Sequence, residues 1–244
     1  MLKMLAEHSS CSTQELANAF GVTTATVRSD LTILEREGHV VRTHGGAIAR
    51  RRLEREDPLN ERGHSSQKVR IARKALELVS PSEVISLDTG TTTIEFAKAL
   101  VAHGPEGLTV ICPDLLALSI LEAREDYRVV ALGGQVRNGY HFACDGMTLR
   151  ALDQLRSDKC ILTTTSFDLK AGFTTPNLNT AALKAKLIET ANETIMLLDS
   201  TKVGQVSAGR FAELRQIDHL VIDSGVDEKT LAQLGTVIRD VRVA

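Results

Sequence analysis

The sequence predicts two parts: a small N-terminal winged helix-turn-helix, then a larger, mainly parallel α/β domain. Three observations predict this. In residues 1–50, helical periodicity is cut by a glycine and followed by a hairpin pattern. Charge then crowds around a proline: Arg50-Arg51-Arg52, Glu54, Arg55, Glu56, Asp57, Pro58. From Lys68 onward, short apolar strands alternate with amphipathic helices, the pattern of a sheet covered on both faces. The expected division is 1–56 for the winged helix-turn-helix, 57–67 for a linker and 68–244 for the α/β domain.

Element by element, Met1, Leu2, Met4 and Leu5 fit one face of a first short helix. Ser12-Thr13-Gln14-Glu15 is a capping box opening a second helix, with Leu16, Ala17 and Phe20 on its apolar side. Gly21 stops that helix. Thr23 or Thr24 caps a third, which turns Val27, Leu31 and Leu34 inward and closes at Gly38. Residues 39–48 read as two short strands around Gly45-Gly46. In the larger part, strands are expected at 84–87, 108–111, 127–132, 160–162, 194–198, 219–222 and 236–243. Helices are expected over 69–79, 94–101 and 115–121, and another carries Lys184 after Asn177.

Composition narrows the function. Hydrophobic residues at 43% and charged residues at 25% describe a folded soluble chain and exclude disorder. A net charge of −2, from 29 Lys+Arg against 31 Asp+Glu, excludes a polybasic coat and leaves room for a local basic face. With 3% aromatics and no Trp, a base-stacking platform for single strands is not expected. Cys11, Cys112, Cys144 and Cys160 are too scattered for a zinc knuckle or redox motif, and the seven His are equally dispersed. Neither a metal site nor a cofactor is expected. No signal-peptide core opens the sequence and no run reaches membrane-spanning length, so a cytoplasmic location without a membrane partner is expected.

In a winged helix-turn-helix of this form the third helix would lie in the DNA major groove, although helical trios of this type also arise as plain packing units. Its first residues, Thr23, Thr24, Thr26, Arg28 and Ser29, would face base edges, while Arg42 and His44 on the wing would meet phosphate or the minor groove. The arginines at 50–52 fit either a solvated linker or a phosphate-contacting extension. These residues carry a resemblance. Glu15-Leu16-Ala17, Gly21-Val22-Thr23, Thr26-Val27-Arg28-Ser29-Asp30-Leu31, Leu34-Glu35 and Arg42-Thr43-His44-Gly45-Gly46-Ala47 resemble the DeoR family of bacterial transcription regulators. Ser29 departs from it, standing where the family usually has a second consecutive arginine.

In the larger part, ligands of such sheets bind at the carboxyl ends of strands. There, Asp88-Thr89-Gly90-Thr91-Thr92-Thr93 runs from a strand straight into a helix. Hydroxyls and unpaired backbone N–H groups at a helix N-terminus favour an anion such as phosphate; a strand-to-helix turn capped by Asp and Thr fits the same residues. Gly133-Gly134 would let a ligand approach the backbone. Lys184 and Lys202 converging on this loop would suit a phosphorylated sugar or polyol, although each alone reads as a surface lysine. Asp88-Thr89-Gly90-Thr91-Thr92, Leu132-Gly133-Gly134, Gly172-Phe173-Thr174-Thr175, Lys184 and Asp199-Ser200-Thr201-Lys202 also resemble the DeoR family, in order and spacing. The resemblance implies an effector domain folded like sugar-phosphate isomerases. It further implies a repressor of a carbohydrate operon, released from its operator by a phosphorylated metabolite. Cys112-Pro113, Thr163-Thr164-Thr165-Ser166 and Thr180 depart from the family where strands open toward the pocket.

An isomerase or deaminase would need a positioned general base. Asp88 and Asp199 are the strand-end carboxylates, turn capping accounts for both, and no paired acid and base stands out. No enzyme is expected, and activation instead of repression is the other regulatory reading. Operator symmetry calls for a homo-oligomer, a dimer or tetramer.

Overall fold

A computed structural model describes residues 10–36, 40–43, 45–49 and 66–244, together with Met1 and Met4. The chain divides into two compact units, Met1–Glu56 and Asp57–Ala244. The first contains β1 (Ser10–Ser12), α1 (Thr13–Phe20), α2 (Thr24–Arg36), β2 (Val40–Thr43) and β3 (Gly46–Ala49). The capping box forms: Ser12 Oγ accepts from Glu15 N–H at 3.1 Å, and Glu15 Oε2 accepts from Ser12 N–H at 2.7 Å. Gly21, left-handed at φ 64°, ends α1. Thr23 caps the next helix, its Oγ1 accepting from Thr26 N–H at 3.1 Å.

Leu16, Ala17, Val27 and Leu31 close a small core with Cys11, Val40 and Ala47, against which Met1, Met4 and Leu34 pack. Phe20 is not part of it. Expected on the apolar side, it is 46% exposed; the helix ends at the next residue, so its last turn overshoots the packing surface. Strand β1 was not legible in the sequence. It pairs antiparallel with β3, giving the order β1-β3-β2, and a Cβ on Gly46 would lie 2.3 Å from Cys11 O. Glycine there is what admits the third strand. Most of the expected first helix, Gly38, His44, Arg50 to Arg52 and residues 57–65 of the expected linker lie outside the described residues.

The second unit opens with α3 (Ser66–Ala75), a short 3-10 turn, β4 (Val84–Leu87), α4 (Thr91–His103), β5 (Thr109–Cys112), α5 (Leu115–Leu121) and β6 (Arg128–Ala131). A hairpin of β7 (Val136–Arg137) and β8 (Phe142–Ala143) leads to α6 (Gly146–Asp153) and β9 (Ser157–Thr163). Then come β10 (Ser166–Asp168), β11 (Gly172–Thr175), α7 (Leu178–Glu189) and β12 (Ala191–Leu198). The unit finishes with β13 (Gly209–Ala212), β14 (His219–Ile222), α8 (Glu228–Gly235) and β15 (Asp240–Val243).

Seven strands form one parallel sheet in the order β15-β14-β12-β9-β4-β5-β6. Alternate strand residues enter opposite cores. Ile85, Leu87, Val110, Ile161, Leu197 and Val221 meet the helices α3, α4 and α5. Ile111, Cys160, Leu162, Met196, Leu220 and Ile222 meet α6, α7 and α8. This is the doubly covered parallel sheet expected. The strand expected over 236–243 starts only at Asp240, because Val237 and Ile238 N–H groups still bond back to Leu234 O at 3.1 and 2.9 Å. A second, antiparallel sheet, β10-β11-β13, sits at the carboxyl end of β9. Strand order reverses between β4 and β9: β5 and β6 follow on one side, β12, β14 and β15 on the other. That reversal opens a crevice beyond the carboxyl ends of β4 and β9. No helix of the described residues is long and apolar enough to cross a membrane.

Candidate functional site

In the first unit, the N-terminal half of α2 has two faces. Val27 and Leu31 are fully buried, while Thr23, Thr26, Arg28 and Ser29 are exposed and Thr24 is half-buried. Thr23 and Thr26 hydroxyls lie 2.9 Å apart, so they present a linked pair. Arg42 sits in β2 opposite Ala47; its side chain, like all of His44, lies outside the described residues.

In the second unit, the crevice is built around Asp88, the residue following β4, and Thr163, the last of β9. Asp88 Oδ2 accepts from the Thr163 N–H and Oγ1 at 2.9 Å each, and from Lys184 Nζ. Lys184 also donates to Thr163 O at 3.0 Å and lies 5.3 Å from the Phe211 ring centroid. Both charges are buried, Asp88 fully and Lys184 to 3% exposure. A buried ammonium without a carboxylate is costly, so each residue accounts for the other. Asp88 is therefore not the turn cap the sequence allowed: its carboxylate points across the sheet, to β9 and α7. Its Oδ1 has no hydrogen-bond partner among the described residues. Asp199 does cap its turn, accepting from Thr201 N–H at 2.9 Å.

The loop after Asp88 leaves a helix end open. Thr89 O accepts from Thr163 Oγ1 at 3.0 Å. Gly90, at φ 122° and ψ 170°, is the N-cap of α4 and supplies no side chain to the helix. Thr92 and Thr93 are buried, and Thr93 Oγ1 has no partner among the described residues. Thr91 Oγ1 accepts from Lys68 Nζ, on α3, at 2.8 Å. Asp114 anchors the loop from the next strand: its Oδ2 accepts from Gly90 N–H at 3.4 Å, and its Oδ1 from Leu116 and Ala117 N–H at 3.0 and 3.1 Å. Burial raises the Asp114 carboxyl above its ordinary value, against the pull of those bonds.

The other expected residues fall unevenly around this centre. Lys184 reaches Asp88 and not the start of α4. Lys202 follows β12, half-buried, and among the described residues no hydrogen bond or ion pair joins its side chain to the crevice. Gly133 O accepts from Thr148 Oγ1 at 2.9 Å, and a Cβ on Gly134 would strike Asp145 Oδ1 at 2.3 Å. That glycine is required by packing against the cap of α6.

Three neighbours were not singled out for this site in the sequence: Lys68, Asp114 and Arg137. Arg137 Nη1 donates to Thr180 Oγ1 at 3.4 Å, and its guanidinium lies 3.9 Å from the Tyr140 ring centroid. Asn138-Gly139, a hairpin signal, could have flagged it. Cys144 stands close by; burial pushes its thiol up to about 11, partly offset by a hydrogen bond with Thr180. Among the described residues no group of three or more His, Cys, Asp or Glu could hold a metal ion.

Comparison with known proteins covers both units. Residues 1–52 match the DeoR-like helix-turn-helix domain, and residues 63–224 match the DeoR C terminal sensor domain. The chain is 32% identical to the HTH-type transcriptional regulator YulB of Bacillus subtilis over 229 residues, 93% of this chain and 87% of that one. It is 28% identical to the HTH-type transcriptional repressor GlcR of the same organism over 225 residues, 91% of this chain and 86% of that one. Among solved structures it is similar to ribose 5 phosphate isomerase A from Neisseria gonorrhoeae at a TM-score of 0.41 and 18% identity, over 57% of this chain and 53% of that one.

Proposed function

This chain belongs to the DeoR family of transcriptional regulators, and from that premise we propose that it represses a carbohydrate-utilisation operon and is released by a phosphorylated sugar or sugar-derived metabolite. The observation that carries the effector half is the start of α4. Its N-cap Gly90 gives it no side-chain cap, it carries a buried hydroxyl without a partner among the described residues, and Lys68 holds an ammonium against its first residue. Unpaired N–H groups, the helix dipole and a nearby cation all favour a phosphate there. Gly90, Thr91, Thr92 and Thr93 would cradle it, above a floor of Asp88, Thr89 and Lys184, with Gly133, Gly134 and Lys202 at the rim.

The repressor half draws on GlcR, a relative named as a repressor, and on the exposed face of α2. Thr23, Thr24, Thr26, Arg28 and Ser29 would read base edges, with Arg42 and His44 on phosphate or the minor groove. Repeated half-sites would be met by a dimer or tetramer of this chain in the cytoplasm.

Regulation, not catalysis, is the function of this family. In the site, Asp88 Oδ2 is engaged by Lys184 and Thr163, and among the described residues no second carboxylate is paired with it as an acid and base would be.

The test is operator binding by fluorescence anisotropy, using duplex DNA from upstream of the protein's own gene cluster. Binding is expected to fall steeply between low and moderate salt, as phosphate contacts require. Phosphorylated sugars, but not their unphosphorylated parents, are expected to release the duplex. Binding to no duplex, salt-independent binding, or turnover of a sugar phosphate that Asp88→Asn abolishes would each overturn the proposal.

A further inference from the structure

Strand β7 ends at Arg137, and the Asn138-Gly139 turn brings the chain back, Tyr140 N–H donating to Arg137 O at 3.1 Å. Strand β8 fixes this hairpin over the carboxyl end of β5. Phe142 bridges to Asp114, Ala143 N–H donates to Pro113 O at 3.0 Å, and Leu115 N–H donates to His141 O at 2.8 Å. Arg137 pairs in turn with Phe142. Two strand spacings, about 10 Å, therefore separate the Arg137 backbone from that of Asp114, which holds Gly90.

The guanidinium is set before any ligand arrives. The Tyr140 ring lies under it, and Thr180 Oγ1 takes one of its N–H groups. Among the described residues, no carboxylate pairs with it. Thr180 and Lys184 are one turn apart on α7 and both buried, and Lys184 runs on to Asp88. Arg137, Thr180, Lys184 and Asp88 thus form a chain of groups from the hairpin to the strand that opens α4. Within it the Lys184 and Asp88 charges cancel. The Arg137 guanidinium stands apart from the α4 start, where Lys68 donates to Thr91.

Resting on the effector reading above, we infer that Arg137 binds a second acidic group, so that the effector is a sugar derivative charged at both ends. One phosphate occupies the start of α4; a carboxylate or second phosphate meets the guanidinium. A planar fork of donors matches either group, and stacking on an aromatic face leaves the outer N–H groups free to form it. Holding the side chain in place beforehand lowers the ordering cost of binding. A role limited to fastening the hairpin onto α7 is the competing account, and it requires no charge selectivity.

The experiment uses the full-length protein and two matched pairs: glucose 6-phosphate with 6-phosphogluconate, and fructose 6-phosphate with fructose 1,6-bisphosphate. Dissociation constants are measured by calorimetry for the wild type, Arg137→Gln and Arg137→Lys, after melting curves establish that each variant folds. In the wild type, the member with two acidic groups of at least one pair binds about tenfold tighter or more, as a charge-assisted bidentate contact supplies. Arg137→Gln reduces that preference to about twofold or less while changing the member with a single phosphate little; Arg137→Lys, which keeps the charge and loses the fork, retains part of it. Equal binding of both members by the wild type overturns the inference and leaves the effector reading intact. So does a preference that survives Arg137→Gln. A wild type that binds none of the four also overturns it; the effector reading falls separately, only if no sugar phosphate releases the operator.

Discussion

Two helices of this protein begin with threonines, and their beginnings are opposite in kind. At the start of α2, Thr23 caps the helix by accepting from Thr26 N–H, and its hydroxyl and that of Thr26 stand exposed. At the start of α4, the cap position is Gly90, which supplies no side chain to the helix, and Thr92 and Thr93 are buried. The first end satisfies itself and offers its outer face to a large partner. The second has no cap of its own and lies in the crevice, where the proposed anion would complete it. The same residue type serves both tasks because a hydroxyl can cap its own backbone or leave that backbone open.

That contrast can be broken from its foundations upward. Asp88→Ala strands the Lys184 ammonium in the interior and is expected to cost about 3–5 kcal/mol of second-unit stability, measured by urea unfolding. Gly90→Ala forces a side chain into a backbone region essentially reserved for glycine, and about 1–3 kcal/mol is expected to be lost. The sharpest pair is Thr23→Ala against Thr91→Ala. Loss of the cap at α2 should cost about 1 kcal/mol. Thr91→Ala removes no cap, so it should leave stability within about 0.5 kcal/mol and weaken effector binding instead.

The smallest effect concerns pH. Asp114 has a raised carboxyl in the folded state, so the folded chain holds its proton longer than the unfolded one. Its contribution to stability is therefore lost as pH rises from its ordinary value of 3.8 through the raised one. Asp114→Asn, which can still cap α5, should gain stability relative to the wild type as pH rises across that window. Paired melting curves from pH 4 to 7 check the sign.

Much of this was legible in the sequence because it is local. The Ser12 capping box, the Gly21 stop and the seven strands are written in spacings of two to four residues, and periodicity reads them. The loop from Asp88 to Thr93 was legible as a strand running straight into a helix for the same reason, and the proposed anion site rests on it. What was not legible depends on distant partners. Asp88 and Lys184 looked like a turn cap and a loop ligand, yet they are 96 positions apart and neutralise each other. Strand β1 exists only because Gly46 lets Cys11 approach. Lys68 and Arg137 reach the crevice from α3 and from a two-residue strand, elements too remote or too short for a pattern to place beside Thr91 or Thr180.

The central claim is that the open start of α4 receives the phosphate of a sugar metabolite. A dye-reported melt of the full-length protein against phosphorylated sugars and their unphosphorylated parents tests it directly, since the chain lacks Trp. A ligand bound only to the folded state at a hundred times its dissociation constant adds about 2.7 kcal/mol, a shift of several degrees for a domain of this size. The predicted result is a rise with at least one phosphorylated compound, none with its parent, and a much smaller rise in Thr91→Ala. A phosphorylated compound that shifts Thr91→Ala as far as the wild type, or no shift from any of them, would contradict it.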